Sequence, residues 1–250
     1  MKYKTHVVNK LNLLDVDNEH GLRIIFSPIG ASIRDIYFND VKITLSPEKT
    51  IDFLDAGNTF GKPVEFVDNS KPFSYNGKEY QKDNKYVVSS YCFQSRPYMD
   101  KKVFSIMYIF GKKKMMDGLP NNVNYYISYS FGEAENTLLV DYRVMADIPT
   151  PVSLSNNLVF NLGNDAKVTL NAKETTSFDE VIEINDQSVL SISNDDISIE
   201  ATTNYGKASF TKESLNEESG VSIRFSDIET STIKEKDIYN RQILYKFIKK

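Results

Sequence analysis

The chain has 250 residues, 40% of them hydrophobic and including 15 Tyr and 15 Phe. That is enough to fill a sizeable core, and it excludes a disordered or low-complexity polypeptide. A net charge of −4, from 30 basic and 34 acidic residues of scattered sign, offers no basic stripe for nucleic acid. The short run Lys112–Lys114 reads as a solvated hairpin tip. A single cysteine, Cys92 between Tyr91 and Phe93, excludes an intrachain disulfide and a cysteine-rich metal site. In that aromatic setting it is expected to act as a small buried hydrophobe. The N-terminal segment has no apolar run long enough for a signal peptide, and no stretch approaches a transmembrane helix. A cytoplasmic protein with no membrane or nucleic-acid partner, no metal and no cofactor is expected.

Along the chain the dominant signal has a period of two residues. Strands are expected at Leu22–Phe26 and Ile33–Phe38, the latter followed by a hairpin-type Asn39-Asp40 pair. Asn76-Gly77 marks a second hairpin, and Tyr86–Phe93 a further strand. Val103–Phe110 is apolar or aromatic on both parities apart from Ser105, which predicts a strand covered on both faces. After the Asp117–Pro120 turn, Val123, Tyr125, Ile127 and Tyr129 alternate with Asn122, Asn124, Tyr126 and Ser128. Val140, Tyr142 and Val144 alternate with Asp141, Arg143 and Met145, again predicting half-buried strands. Val152–Phe160, Val168–Leu170, Ser188–Ile192, Ile197–Ala201, Val221–Phe225 and Tyr239–Phe247 complete the set, with a break at Asn204–Gly206. No helical stripe, linker or fixed-period repeat interrupts them. Residues 1–250 are therefore expected to form one all-β, antiparallel sandwich domain.

Two segments carry more than a generic β pattern. One is Asp117-Gly118-Leu119-Pro120-Asn121-Asn122-Val123, which runs into an alternating strand. The other is Thr150-Pro151-Val152-Ser153-Leu154-Ser155-Asn156-Asn157-Leu158-Val159-Phe160-Asn161-Leu162-Gly163. Together they resemble the aldose 1-epimerase (galactose mutarotase) family, whose members carry an E-G-Y-P-G-x-L turn and then a T-P-V-N-L-T-N-H-S-Y-F-N-L strand. In the same order, Gly30-Ala31 is similar to an early G-A, and Gly61-Lys62 to a G-R pair opening a loop. Phe73–Tyr80 is similar to an F-x-L-x-G-x-x-Y hairpin, and the chain's last strand to the family's closing strand. Members usually run longer, so loops are expected to be missing between Asp179 and Gly220. The resemblance implies a large sandwich of the mutarotase (supersandwich) type, with a sugar cleft on a concave sheet face.

In that family a Glu takes the proton of the anomeric hydroxyl while a His protonates the ring oxygen, so both groups need pKa values near the working pH. Carried onto this chain, the catalytic His falls on Asn157 and the Glu on Arg224. The family's arginine becomes Lys62, and the Asn that follows becomes Glu65. An amide cannot shuttle a proton in this range, and a guanidinium stays protonated. The two histidines of the chain, His6 and His20, lie ahead of the first confidently expected strands, with no charge partner evident beside either. Neither a Ser–His pair nor a G-x-S-x-G motif is present.

What the resemblance leaves is a binding geometry. Alternation puts Ser153, Ser155 and Asn157 on one strand face, and Ser222 and Arg224 on another. Lys62, Glu65, Ser155, Asn157, Ser222 and Arg224 are the expected contacts of a small-molecule sugar or sugar phosphate. The leading expectation is a carbohydrate-binding, mutarotase-like protein with weak or no epimerase activity. The alternatives are an active aldose 1-epimerase in which Glu65 or Asp227 supplies the proton traffic, and an interaction scaffold that binds no sugar.

Overall fold

The computed structural model describes residues 1–8, 11–49, 52–53, 59–65, 72–82, 88–100, 102–163, 165–175, 177–227 and 231–250. Strands β1 (Lys2–Val8), β2 (Leu11–Asp17), β3 (Leu22–Ser27), β4 (Ser32–Phe38) and β5 (Val41–Lys42) form an antiparallel meander in that order. Asn39 and Asp40 both take positive φ at the β4–β5 turn, as a two-residue hairpin of that type requires. Next come β6 (Pro63–Glu65) and a small hairpin of β7 (Phe73–Tyr75) and β8 (Lys78–Tyr80) turning on Asn76-Gly77. The strand expected over Tyr86–Phe93 is instead a 3-10 turn at Val88–Ser90; its first two residues lie outside the described ones.

A second meander, β9 (Gln94–Met99), β10 (Val103–Lys112), β11 (Val123–Gly132) and β12 (Thr137–Ala146), is joined edge to edge. The segment expected as one strand over Val152–Phe160 breaks into β13 (Thr150–Val152), β14 (Leu154–Asn156) and β15 (Val159–Phe160), each paired with a different partner. Then follow β16 (Lys167–Leu170), β17 (Lys173–Thr175), β18 (Ile182–Glu183), β19 (Leu190–Ser193), β20 (Ile197–Thr203), β21 (Lys207–Leu215), β22 (Glu218–Ser226), β23 (Ser231–Ile233) and β24 (Ile238–Lys249).

These strands make two layers. One is a nine-stranded antiparallel sheet in the order β17-β16-β19-β20-β24-β12-β11-β10-β9. The other joins the first meander to the sheet β15-β22-β21-β18 through a bridge between Thr44 and Phe160 and the bond from Leu45 N–H to the Val159 carbonyl. Between the layers lies one continuous buried cluster that includes Ile24, Phe26, Ile36, Phe104, Ile127, Val140, Tyr142, Ile199, Ile223 and Phe225. The β11 pattern of alternating buried and half-exposed residues follows from this: one parity meets the core and the other meets water.

Buried tyrosines of the large sheet tie the two layers together. Tyr129 donates to the Ala31 carbonyl at 2.6 Å, and Tyr245 donates to Asn156 Oδ1 at 3.1 Å. The hydroxyl of Tyr239 accepts the Leu154 N–H at 3.1 Å. A phenol brings a large apolar ring and one polar tip, which suits a position where a core side chain must also satisfy a backbone group opposite.

Three expectations are corrected. Val103–Phe110 is not covered on both faces: Phe104, Ile106 and Tyr108 are buried, whereas Val103 and Met107 are exposed. Cys92 is exposed rather than buried, because it sits at an isolated bridge to Ile29 outside the core. Of the run Lys112–Lys114 only the last two are solvated. Lys112 is buried, its ammonium held by Asp117 and Asn121 from the following turn.

Candidate functional site

The site is built where β6 meets the end of β14. The Gly61 N–H donates to the Asn157 carbonyl at 2.7 Å, and the Asn157 N–H donates to the Lys62 carbonyl at 3.0 Å, so Lys62 and Asn157 are joined through their backbones. The Ile33 N–H donates to the Gly61 carbonyl at 2.9 Å, stitching the same loop to β4. Only glycine fits here: Gly61 has φ +68°, and a Cβ would stand 1.9 Å from the Ile33 carbonyl oxygen. Gly30, at φ +64°, faces the Ser89 carbonyl in the same way, 2.7 Å from where a Cβ would be.

Strand alternation then sorts the side chains. Ser155 lies opposite Val64 across β14 and β6, and Leu154 opposite Glu65. Ser155, Asn157 and Lys62 therefore point away from the large sheet, while Glu65, Leu154 and Asn156 point toward it. Lys62, Ser155 and Ser222 are 0% exposed and Asn157 is 3% exposed. Asn157 Nδ2 donates to Thr59 Oγ1 at 3.1 Å. Its Oδ1, together with the hydroxyls of Ser155 and Ser222, is buried with no hydrogen-bond partner among the described residues. The ring of Phe53, itself 1% exposed, lies over the Lys62 ammonium at 5.2 Å and beside the Arg34 guanidinium at 6.0 Å. A cation close to an aromatic face is stabilised by the ring quadrupole. Phe53, which borders this part of the site, is a residue that carries no sequence signal of its own.

Arg224 lies apart. Continuing the β15–β22 register, in which Val159 faces Ser222, would set Arg224 opposite Asn157. The chain leaves that ladder first, to bond Lys62. The Arg224 guanidinium turns instead to Glu213, half exposed, and lines a separate hollow of about 310 Å³ with Asp179, Ser209 and Thr211.

The two carboxylates expected as substitutes for the missing base are both engaged. Glu65 accepts from Lys82 Nζ at 2.8 Å and from the Tyr125 hydroxyl at 2.9 Å, on the core side of β6 rather than the Asn157 side. Burial and the neighbouring Glu65 carboxylate push the Tyr125 phenol well above its ordinary pKa, so it remains a donor. Asp227 accepts from Arg241 Nε and, at 3.0 Å, from the Tyr239 hydroxyl. Each carboxylate is thus already held by a cation and a phenol rather than standing free beside Asn157. The expected contact set thus divides: Lys62, Ser155 and Asn157 come together, Ser222 faces the β15 segment that follows them, and Glu65 and Arg224 do not join them.

The histidines lie far from this site in the chain. His6 is on β1 with Nε2 3.3 Å from Asp15, a charge partner supplied by cross-strand pairing and invisible to local sequence. His20 is in the exposed turn before β3. No group of three or more His, Cys, Asp or Glu side chains with metal-binding geometry occurs among the described residues, and no described helix is long and apolar enough to cross a membrane.

The two-layered architecture is that of the galactose mutarotase-like fold. Among solved structures, the galactose 1-epimerase of Lactobacillus acidophilus NCFM superposes with a TM-score of 0.84 over 99% of each chain at 15% identity. A galactose mutarotase-like protein of Clostridium acetobutylicum gives 0.78 over 100% of this chain and 99% of its own, at 10% identity. The GalM/aldose epimerase homologue of C. elegans gives 0.72 over 96% and 99%, at 14% identity. No protein-family model and no curated protein matches the sequence.

Proposed function

We propose that this protein is a sugar-binding member of the mutarotase-like fold that does not interconvert anomers. The observation that carries the proposal is the pairing state of the candidate acid–base groups. Asn157 stands where the sequence resemblance puts the catalytic imidazole, and Glu65 and Asp227 are each neutralised by a cation. A positioned acid or base contributes typically ~10²–10⁴-fold, and among the described residues no unpaired acid or base stands beside Asn157 to supply it. The unmatched Oγ and Oδ1 atoms of Ser155, Ser222 and Asn157 support a polar ligand, since each buried orphan costs about 1–3 kcal/mol until a partner arrives. Hydroxyls of a pyranose are suitable partners, and Phe53 is the group such a ligand displaces. The continuous core supports treating residues 1–250 as one unit.

Polarimetry of freshly dissolved α-D-galactose and α-D-glucose tests the loss of activity. The rate of mutarotation is expected to equal that of buffer alone; acceleration proportional to protein concentration overturns the proposal. Binding is tested by NMR titration with the same sugars and their phosphates. Shifts at the Ser155, Asn157 and Ser222 amides are expected, and a spectrum unmoved by the whole panel favours an interaction scaffold instead.

A further inference from the structure

The outer face of the large sheet carries a second candidate binding surface, unrelated to the Asn157 site. Residues of β10, β11 and β12 that point away from the core include Ser105, Ser128 and Ser130. The register sets Ser105 opposite both Ser130 and Tyr98, and Ser128 opposite both Met107 and Asp141. Serines are short. The taller Tyr98 and Arg96 rise on the β9 side, and Leu139 and Arg143 on the other, leaving a trough of about 780 Å³ with a serine floor.

The chemistry of the lining narrows the occupant. A solvent-facing antiparallel sheet usually presents polar side chains, yet Tyr98 is 65% and Met107 40% exposed here. Between these apolar groups lies a fixed polar array. The Asp141 carboxylate is held by Arg143 through two bonds of 3.0 Å and by Gln242 Nε2 at 2.9 Å, while the Ser105 and Ser130 hydroxyls bond each other at 2.8 Å. Asp141 and Arg143 cancel in charge, and Arg96 is the one further charged residue of the lining, so a polyanion finds no cationic cluster. An acyl chain would take the Asp141–Arg143 ion pair and the serine hydroxyls out of water and offer them no further hydrogen bond, at a cost. A ligand with apolar ring faces and hydroxyl edges satisfies both parts. Neighbouring strands stand about 4.8 Å apart, close to the length of one pyranose, and the trough crosses from β9 to β24. It is longer than a monosaccharide.

We propose that this trough binds a neutral oligosaccharide chain, with sugar rings stacking on Tyr98 and Tyr126. The serine floor and the Asp141–Arg143–Gln242 array take the hydroxyls. The proposal does not rest on sugar binding at Asn157, and the two are distinguished by which amides respond.

The test is an NMR titration of the whole chain with linear neutral hexasaccharides of glucose, mannose and galactose. Shifts are expected at the Ser105, Ser128 and Ser130 amides, leaving Ser155 and Asn157 unmoved. Tyr98→Ala, at an exposed edge position that folding tolerates, is expected to weaken binding at least tenfold. Ser130→Leu, which raises the floor, is expected to abolish it. An unshifted trough with all three hexasaccharides overturns the proposal. So does a dimer detected by sedimentation and dispersed by Met107→Asp, which would assign this face to a second copy of the chain.

Discussion

Gly61, Glu65 and Asp15 show how single residues decide different properties of this molecule. At Gly61 the constraint is steric: a side chain collides with the Ile33 carbonyl in a backbone conformation that strains L-residues. Gly61→Ala is expected to cost at least about 1–3 kcal/mol from backbone strain alone, read as a lower denaturant midpoint, and to uncouple Lys62 from Asn157. At Glu65 the constraint is electrostatic. Lys82→Met leaves a buried carboxylate without its cation and is expected to destabilise by about 3–5 kcal/mol; a loss below about 1 kcal/mol would mean that water reaches Glu65. Asp15 provides a pH dependence. Burial raises its pKa, but the Arg23 guanidinium, bonded at 2.8 and 2.7 Å, and the His6 ring together outweigh this, and the net direction is downward. A carboxyl whose folded pKa lies below its unfolded value stabilises the fold above the ordinary carboxylate range, and that stability is lost as pH falls through the folded value. Asp15→Asn is therefore expected to be less stable than the parent at pH 7, with the gap closing as pH drops below the unperturbed value of 3.8. Equilibrium urea melts across that range measure it; a gap independent of pH would assign the loss to packing.

At the scale of elements, legibility follows burial. Strands β11 and β12 could be read from alternation because one parity of each meets the aromatic core and the other meets solvent. Strand β1 could not: six of its seven residues are exposed, so no period is imposed on its sequence. Strand β21, Lys207–Leu215, was equally hidden, since polar residues occupy both of its faces. The broken segment from Thr150 to Phe160 was visible as a motif but not as three strands, because the breaks are set by partners distant in sequence. The same reason explains the site. Which residues carry the resemblance was plain from the sequence. That Glu65 turns inward, that Arg224 pairs with Glu213 and that Phe53 fills the space over Lys62 depend on β6, β14 and β22 meeting in three dimensions.

For the whole molecule, two layers and one core place the Asn157 cluster and the serine trough on opposite sides of the core, so occupancy of one need not disturb the other. The acidic balance, with a sequence pI of about 5.4, predicts a solubility minimum near that pH, where self-repulsion vanishes; turbidity against pH checks it. The order of the large sheet has a further consequence. Its twelve-residue final strand, β24, is inserted between β12 and β20, pairing with both along most of its length. Until β24 docks, the sheet therefore stays in two unjoined halves, each presenting a raw edge. A state in which β24 has left its place between β12 and β20 is the species most exposed to aggregation and to chaperone capture.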